Sequence, residues 1–188
     1  MRRRDRRSVR LRAHDYRGGL YVVTVCTHGR QRLFGDVRDG AVALSPFGRI
    51  ANDEWARTEE VRPTVVLDAF VVMPDHVHLL FGIVPDETTA ATRRDTPPVC
   101  PYPMGGAGPG GRRFGTAVAG SVASIMRQYK SLVTKRIRAI DPTVRVWQAR
   151  FHDRVVRTDR EADALRRYVA ENPARWDPGA HRADGHRA

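Results

Sequence analysis

The sequence predicts an α+β domain of ferredoxin-like type: a β-α-β-β-α-β order, an antiparallel sheet with helices, and a further tyrosine-bearing helix near the C-terminus. Three observations carry that expectation. Four short segments are rich in β-branched and aromatic residues. Two stretches between them repeat apolar residues with helical spacing. Met73-Pro74-Asp75 joins the middle two strand segments so tightly that a hairpin is required.

The elements follow in order. Leu20 to Thr27 is a strand, with Gly18-Gly19 before it and Gly29 after. Arg38-Asp39-Gly40 marks a turn. A helix opens at Ser45 as N-cap with Pro46 in its first position and runs to about Glu60; Phe47, Ile50, Ala51, Trp55 and Ala56 follow its period. Pro63 ends the connection. Val65 to Val72 and His76 to Val84 are the second and third strands. A long helix covers Val118 to Ile140, with Val122, Ile125, Met126, Tyr129, Leu132, Val133, Ile137 and Ile140 in one stripe, and Asp141-Pro142 stops it. A fourth strand lies near Arg154 to Arg157. Asp159 caps a last helix that reaches Glu171 and closes at Asn172-Pro173, because a residue before proline is pushed out of the helical region.

A chain of 188 residues suits one domain with a sizeable core. The expected organisation is a basic arm over residues 1–15, one domain over 16–176 with an insert at 85–117, and a disordered tail over 177–188. Lys and Arg number 33 against 21 Asp and Glu, a formal charge of +12, which favours a polyanionic partner through counterion release. Seven arginines crowd the arm, including Arg10 and Arg12, with no apolar region to make a signal peptide. No run approaches the roughly 20 apolar residues that cross a bilayer. Cys26 and Cys100 lack metal-ligand spacing and read as reduced thiols of a cytoplasmic protein. The glycines of the Pro/Gly-rich insert follow no strand and precede no Gly-Lys-Ser/Thr, so they are not a phosphate loop.

The chemistry centres on His76-Val77-His78. In a strand, residues two apart share a face, so both imidazoles leave one side while Val77, Leu79, Phe81 and Ile83 fill the other. Two parallel imidazoles begin a transition-metal site; otherwise they are half-exposed sheet histidines. If the apolar residues pack beneath the helices, the histidines face the open side of the sheet. The last helix supplies what the pair lacks. Tyr168 and Asn172, four residues apart, stack on one helix face. A carboxamide oxygen suits Mg2+ or Mn2+, and a phenol with an ordinary pKa of about 10 can attack phosphorus when a cation assists.

The rival nucleophile, Tyr129, sits on the apolar stripe of its helix and reads as core. His28 reads as a loop histidine and Asp75 as a turn former. Gln148, His152 and Asp153 are candidates to orient a ligating imidazole. Arg10, Arg12, Arg30, Lys130, Lys135, Arg154 and Arg157 are candidate contacts to nucleic-acid phosphate.

From Arg10 to Trp176 the chain resembles the IS200-like single-tyrosine transposases of the HUH (His-hydrophobic-His) class, nearest the branch associated with repetitive extragenic palindromes (REP). The resemblance is carried by Tyr21-Val-Val-Thr-Val-Cys-Thr-His-Gly-Arg30, Leu33-Phe34-Gly35 and Val72-Met-Pro-Asp-His-Val-His78. It continues through Tyr129-Lys130-Ser131, Trp147-Gln148, Phe151-His152-Asp153 and Tyr168-Val-Ala-Glu-Asn-Pro173. It implies His76 and His78 as metal ligands, Tyr168 as nucleophile and Asn172 as a further ligand, where relatives often carry glutamine. It also implies Mg2+- or Mn2+-dependent cleavage and rejoining of single-stranded or hairpin DNA through a 5′-phosphotyrosine. The tyrosine helix would serve its own chain or that of a partner in a homodimer. The residues alone leave two other readings: a palindrome-binding module for DNA or RNA without catalysis, and a His-metal hydrolase that uses water.

Overall fold

The computed structural model describes residues 18–84 and 120–177. The basic arm with Arg10 and Arg12, the Pro/Gly-rich insert with Cys100, and the tail beyond 177 lie outside the described residues.

The described chain runs β1 (Gly19–Cys26), a 3-10 turn (His28–Arg30), β2 (Gly35–Arg38), β3 (Ala41–Leu44), α1 (Pro46–Ala56), α2 (Thr58–Val61), β4 (Val65–Met73) and β5 (His76–Ile83). After residue 119 follow α3 (Val122–Ile140), β6 (His152–Val156), α4 (Asp159–Glu171) and a second 3-10 turn (Pro173–Arg175). The main sheet has four strands in the order β4-β5-β1-β6, every neighbouring pair antiparallel. The α+β class and the antiparallel sheet agree with the sequence expectation.

Strand alternation divides the core. Tyr21, Val23 and Val25 of β1 and Val77, Leu79, Phe81 and Ile83 of β5 are buried beneath α1 and α3, against Ile50, Ala51, Trp55, Ile125, Met126, Tyr129, Val133 and Ile137. The opposite face packs α4 through Ala162 and Leu165 onto Leu80, Val156, Leu20, Val22 and Ala69. His76 and His78 share this second face, which the last helix partly covers.

Several boundaries differ from the sequence reading. Residues 35–44 form a β-hairpin, β2-β3, whose turn at Asp39-Gly40 takes positive φ at both positions (51° and 72°). The single helix expected to Glu60 is divided after Ala56 at Arg57 (φ −80°, ψ −1°), where the Thr58 hydroxyl donates to the Glu54 carbonyl at 3.1 Å. Ser121, preceded by Gly120 at φ 76°, starts α3 by accepting from the Ser124 amide. Leu132 and Ile140, assigned to the buried stripe, are exposed. Thr158, rather than Asp159, caps α4 by accepting from the Glu161 amide at 3.2 Å. A bulge at Asp68 interrupts β4 between Leu67 and Ala69.

The backbone of α1 lies so close to the loop before β2 that a Cβ at Gly48 would strike the Phe34 carbonyl oxygen. Gly48→Ala should therefore cost about 1–3 kcal/mol of stability in urea unfolding. Gly82→Ala, whose added methyl would meet nothing nearer than Val66 at 3.8 Å, should cost less.

Candidate active site

The site begins at the β4-β5 turn. Met73 pairs with His76, leaving Pro74 and Asp75 as the connection. The segment after β1 binds both of their carbonyls: the Thr27 amide and hydroxyl donate to Asp75 O at 2.9 and 3.0 Å, and the Phe34 amide donates to Pro74 O at 3.0 Å. Asp75 itself is buried, at 2% exposure. Its Oδ1 lies 2.5 Å from His76 Nδ1, and its Oδ2 lies 3.6 Å from the Arg30 guanidinium.

His76 and His78 are 4% and 6% exposed, yet they line a pocket of about 320 Å³ rather than the apolar core. Thr24, Arg30, Tyr168, Asn172, Arg175, Trp176 and Asp177 form the rest of its wall. The two Nε2 atoms face each other at 3.0 Å, and Thr24 Oγ1 lies 2.9 Å from His78 Nδ1. A threonine hydroxyl can donate or accept, so it serves either tautomer of that ring. The distant nitrogen of each imidazole is thus engaged, one by a carboxylate and one by a hydroxyl, which leaves the Nε2 atoms to converge. Adjacent ligands of an octahedral ion with bonds of about 2.1 Å stand about 3.0 Å apart, matching the Nε2 separation. Among the described residues no group of three His, Cys, Asp or Glu side chains could hold a metal ion. A third protein ligand would therefore come from a neutral oxygen, and Asn172 lines the same pocket.

The last helix brings the phenol. Ala162, Leu165 and Val169 turn toward the sheet, and Arg166 forks onto Asp68 at the β4 bulge with N–O distances of 2.8 and 2.7 Å. Tyr168, 42% exposed, then places its hydroxyl 3.3 Å from His78 Nε2, ninety residues away in the same chain. Past Asn172, the turn at Pro173–Arg175 returns Trp176 over His76, with ring centroids 5.8 Å apart. Tyr129, by contrast, is 3% exposed, donates to the Ala51 carbonyl at 3.1 Å, and is pushed far above the usual phenol pKa by burial and by Glu54.

Gln148, His152 and Asp153 do not line the pocket; the imidazoles take their bonds from Asp75 and Thr24. Sequence reasoning took Asp75 as a turn former and passed over Thr24. Thr24 stands directly across from His78 in the β1-β5 ladder, a register no local sequence pattern carries. His28 is half-buried in the turn beside the site.

The candidate phosphate contacts separate into groups. Arg30 faces the pocket, while Arg154 pairs with Glu161 at 3.0 Å and Arg157 is exposed. Lys130 and Lys135 join Arg127 and Arg138 along an open groove of about 900 Å³ beside α3. There the Lys130 ammonium donates to the Gln148 carbonyl at 2.5 Å, and partial burial lowers its pKa. Among the described residues no carboxylate pairs with these four cations, whereas Arg32, Arg57, Arg136, Arg154, Arg166 and Arg175 each meet one. Among the described residues no helix is long and apolar enough to cross a membrane.

Burial, the neighbouring His76 and the Arg30 charge hold the His78 imidazole down to about 3 from the usual 6.5. Below about pH 6.5 the unfolded chain binds the extra proton and the folded one does not, so stability falls with pH through that window, by up to about 1.4 kcal/mol per unit. Urea midpoints at about pH 7.5 and about pH 5.5 should drop for the wild type and drop less for His78→Gln.

No family model matches the sequence. An uncharacterized protein of Haemophilus influenzae is 27% identical over 173 residues, covering 92% of this chain and 90% of that protein. Among solved structures, a REP-associated tyrosine transposase bound to a REP hairpin superposes with a TM-score of 0.56 at 16% identity, over 89% of this chain and 74% of the other. At that identity the likeness is one of fold: this chain shares the α+β architecture of a REP-associated tyrosine transposase.

Proposed function

We propose that the protein is a single-stranded DNA endonuclease and strand transferase of the IS200-like HUH type, acting on hairpin or palindromic DNA through a 5′-phosphotyrosine. The observation that carries this reading is the Tyr168 hydroxyl, 3.3 Å from His78 Nε2 beside a converging imidazole pair, on a residue that is 42% exposed. A nucleophile in this position would meet a phosphodiester laid across the imidazole pair, with a cation held there to assist it.

In the proposed step, Tyr168 Oη forms a bond to phosphorus as the P–O3′ bond breaks. The phenolic proton leaves, and the departing 3′ oxygen gains one. The 5′ end stays on Tyr168 as a phosphodiester, so the energy of the broken link is kept for rejoining to another 3′ hydroxyl. A divalent cation, Mg2+ or Mn2+, held by His76 and His78 with Asn172 as a further ligand, would polarise the phosphate and favour loss of the phenolic proton. Asp75 and Thr24 fix the two rings before any DNA arrives. Trp176 shields one side of His76. The cations along α3, which meet no carboxylate among the described residues, suit phosphates elsewhere along a bound strand, and the chain's charge of +12 supports a nucleic-acid partner. The fold neighbour holds a REP hairpin, which supports a hairpin substrate here.

The test is a labelled hairpin single strand incubated with the protein and Mg2+. A covalent adduct that survives denaturation should form with the wild type and be lost with Tyr168→Phe, while hairpin affinity is retained. Cleavage that persists in Tyr168→Phe without an adduct would mean that water is the nucleophile. Tyr129→Phe should keep the adduct and lose only about 1 kcal/mol of stability, from its bond to Ala51.

A further inference from the structure

We infer that Arg30 is a catalytic residue: its guanidinium binds a non-bridging oxygen of the phosphate attacked by Tyr168 and offsets the negative charge that builds there. The assignment rests on the function proposed above and adds to it a cation from the chain itself.

Four observations converge. Arg30 lines the same pocket as His76, His78, Tyr168 and Asn172, with 35% of its side chain exposed. Its pairing with Asp75 is loose and one-sided: a single nitrogen, NH1, stands 3.6 Å from Oδ2. A guanidinium carries five N–H donors in a planar fork that fits phosphate oxygens, so most of that fork remains to be used. The other arginine of the pocket wall, Arg175, is already matched by Glu171 at 2.5 Å.

The backbone gives the fourth observation. Arg30 has φ 55°, uncommon for a residue with a side chain, immediately after Gly29 at φ 61°. Such a conformation persists only where the surroundings impose it. Here Thr27 brackets the turn: its amide donates to the Asp75 carbonyl, its single hydroxyl proton is shared between Gln31 O at 2.7 Å and Asp75 O at 3.0 Å, and its own carbonyl accepts from the Arg30 amide at 3.2 Å. The turn that carries Arg30 is thereby tied to the same residue that orients His76. An arginine needed only to neutralise Asp75 would have no use for the fork left facing the pocket.

The experiment compares adduct formation by wild type, Arg30→Gln and Arg30→Lys on two hairpins. One has a normal phosphodiester at the cleaved position; the other has an uncharged methylphosphonate there, which lacks the anionic oxygen. On the phosphodiester, Arg30→Gln should slow adduct formation by about a hundredfold to a thousandfold, the usual loss when one charge-stabilising donor is removed, with hairpin affinity little changed. Arg30→Lys should lie between, because it keeps the charge but not the fork. On the methylphosphonate the penalty should largely vanish. An equal loss on both linkages would show that Arg30 merely holds Asp75 and would overturn the assignment, as would no loss on either. If the wild type forms no adduct on the phosphodiester, the strand-transfer reading itself falls and takes this assignment with it. Should Arg30→Gln fold poorly by urea unfolding, the Arg30→Lys comparison across the two linkages decides alone.

Discussion

The site depends on a buried carboxylate. Asp75 sits at 2% exposure in a turn whose carbonyls are both bound by the segment after β1. A carboxylate there costs several kcal/mol unless its oxygens are satisfied. One oxygen meets His76 and the other faces Arg30, so the requirement to neutralise Asp75 also sets an imidazole's orientation and an arginine's position. Two segments far apart in sequence, the β4-β5 turn running into His76 and the 3-10 turn after β1, are joined through this one side chain.

The second constraint is how a distant helix finds the imidazoles. Packing against Leu80, Val156 and their neighbours supplies the energy that holds α4 to the sheet, since burial of apolar area is the larger and unscreened term. The Arg166–Asp68 fork adds direction instead of depth. It lies on the solvent side, where salt weakens it, yet its bidentate geometry fixes the helix against the bulge of β4. With both contacts made, Tyr168 and Asn172 reach the same pocket as His76 and His78 within one chain.

Charge is distributed by the same logic. Arg30, Arg32, Arg57, Arg136, Arg154, Arg166 and Arg175 each meet a carboxylate, which spends their charge locally. Arg127, Lys130, Lys135 and Arg138 do not, and they border an open groove. Four cations with no carboxylate partner among the described residues, along one groove, leave a local excess of positive charge there.

How much of this was legible in the sequence varied with range. Local rules set the strands, the Ser45-Pro46 helix start, the Pro74-Asp75 turn and the common face of His76 and His78, because periodicity and backbone stereochemistry act over a few residues. The β2-β3 hairpin was missed although Asp39-Gly40 marked its turn, because four-residue strands carry too little alternation to stand out. Helical spacing put Tyr168 and Asn172 together but could not say what they faced, and it placed Leu132 and Ile140 in a core that does not extend to them. Thr24 as the partner of His78 and Asp75 as the keystone of the site came only from tertiary structure, and Tyr168 beside the imidazoles was expected from the family resemblance but not from any local pattern. Each depends on strand register or helix docking between residues far apart in the chain, and those are decided by the packing of the whole domain, not by any local pattern.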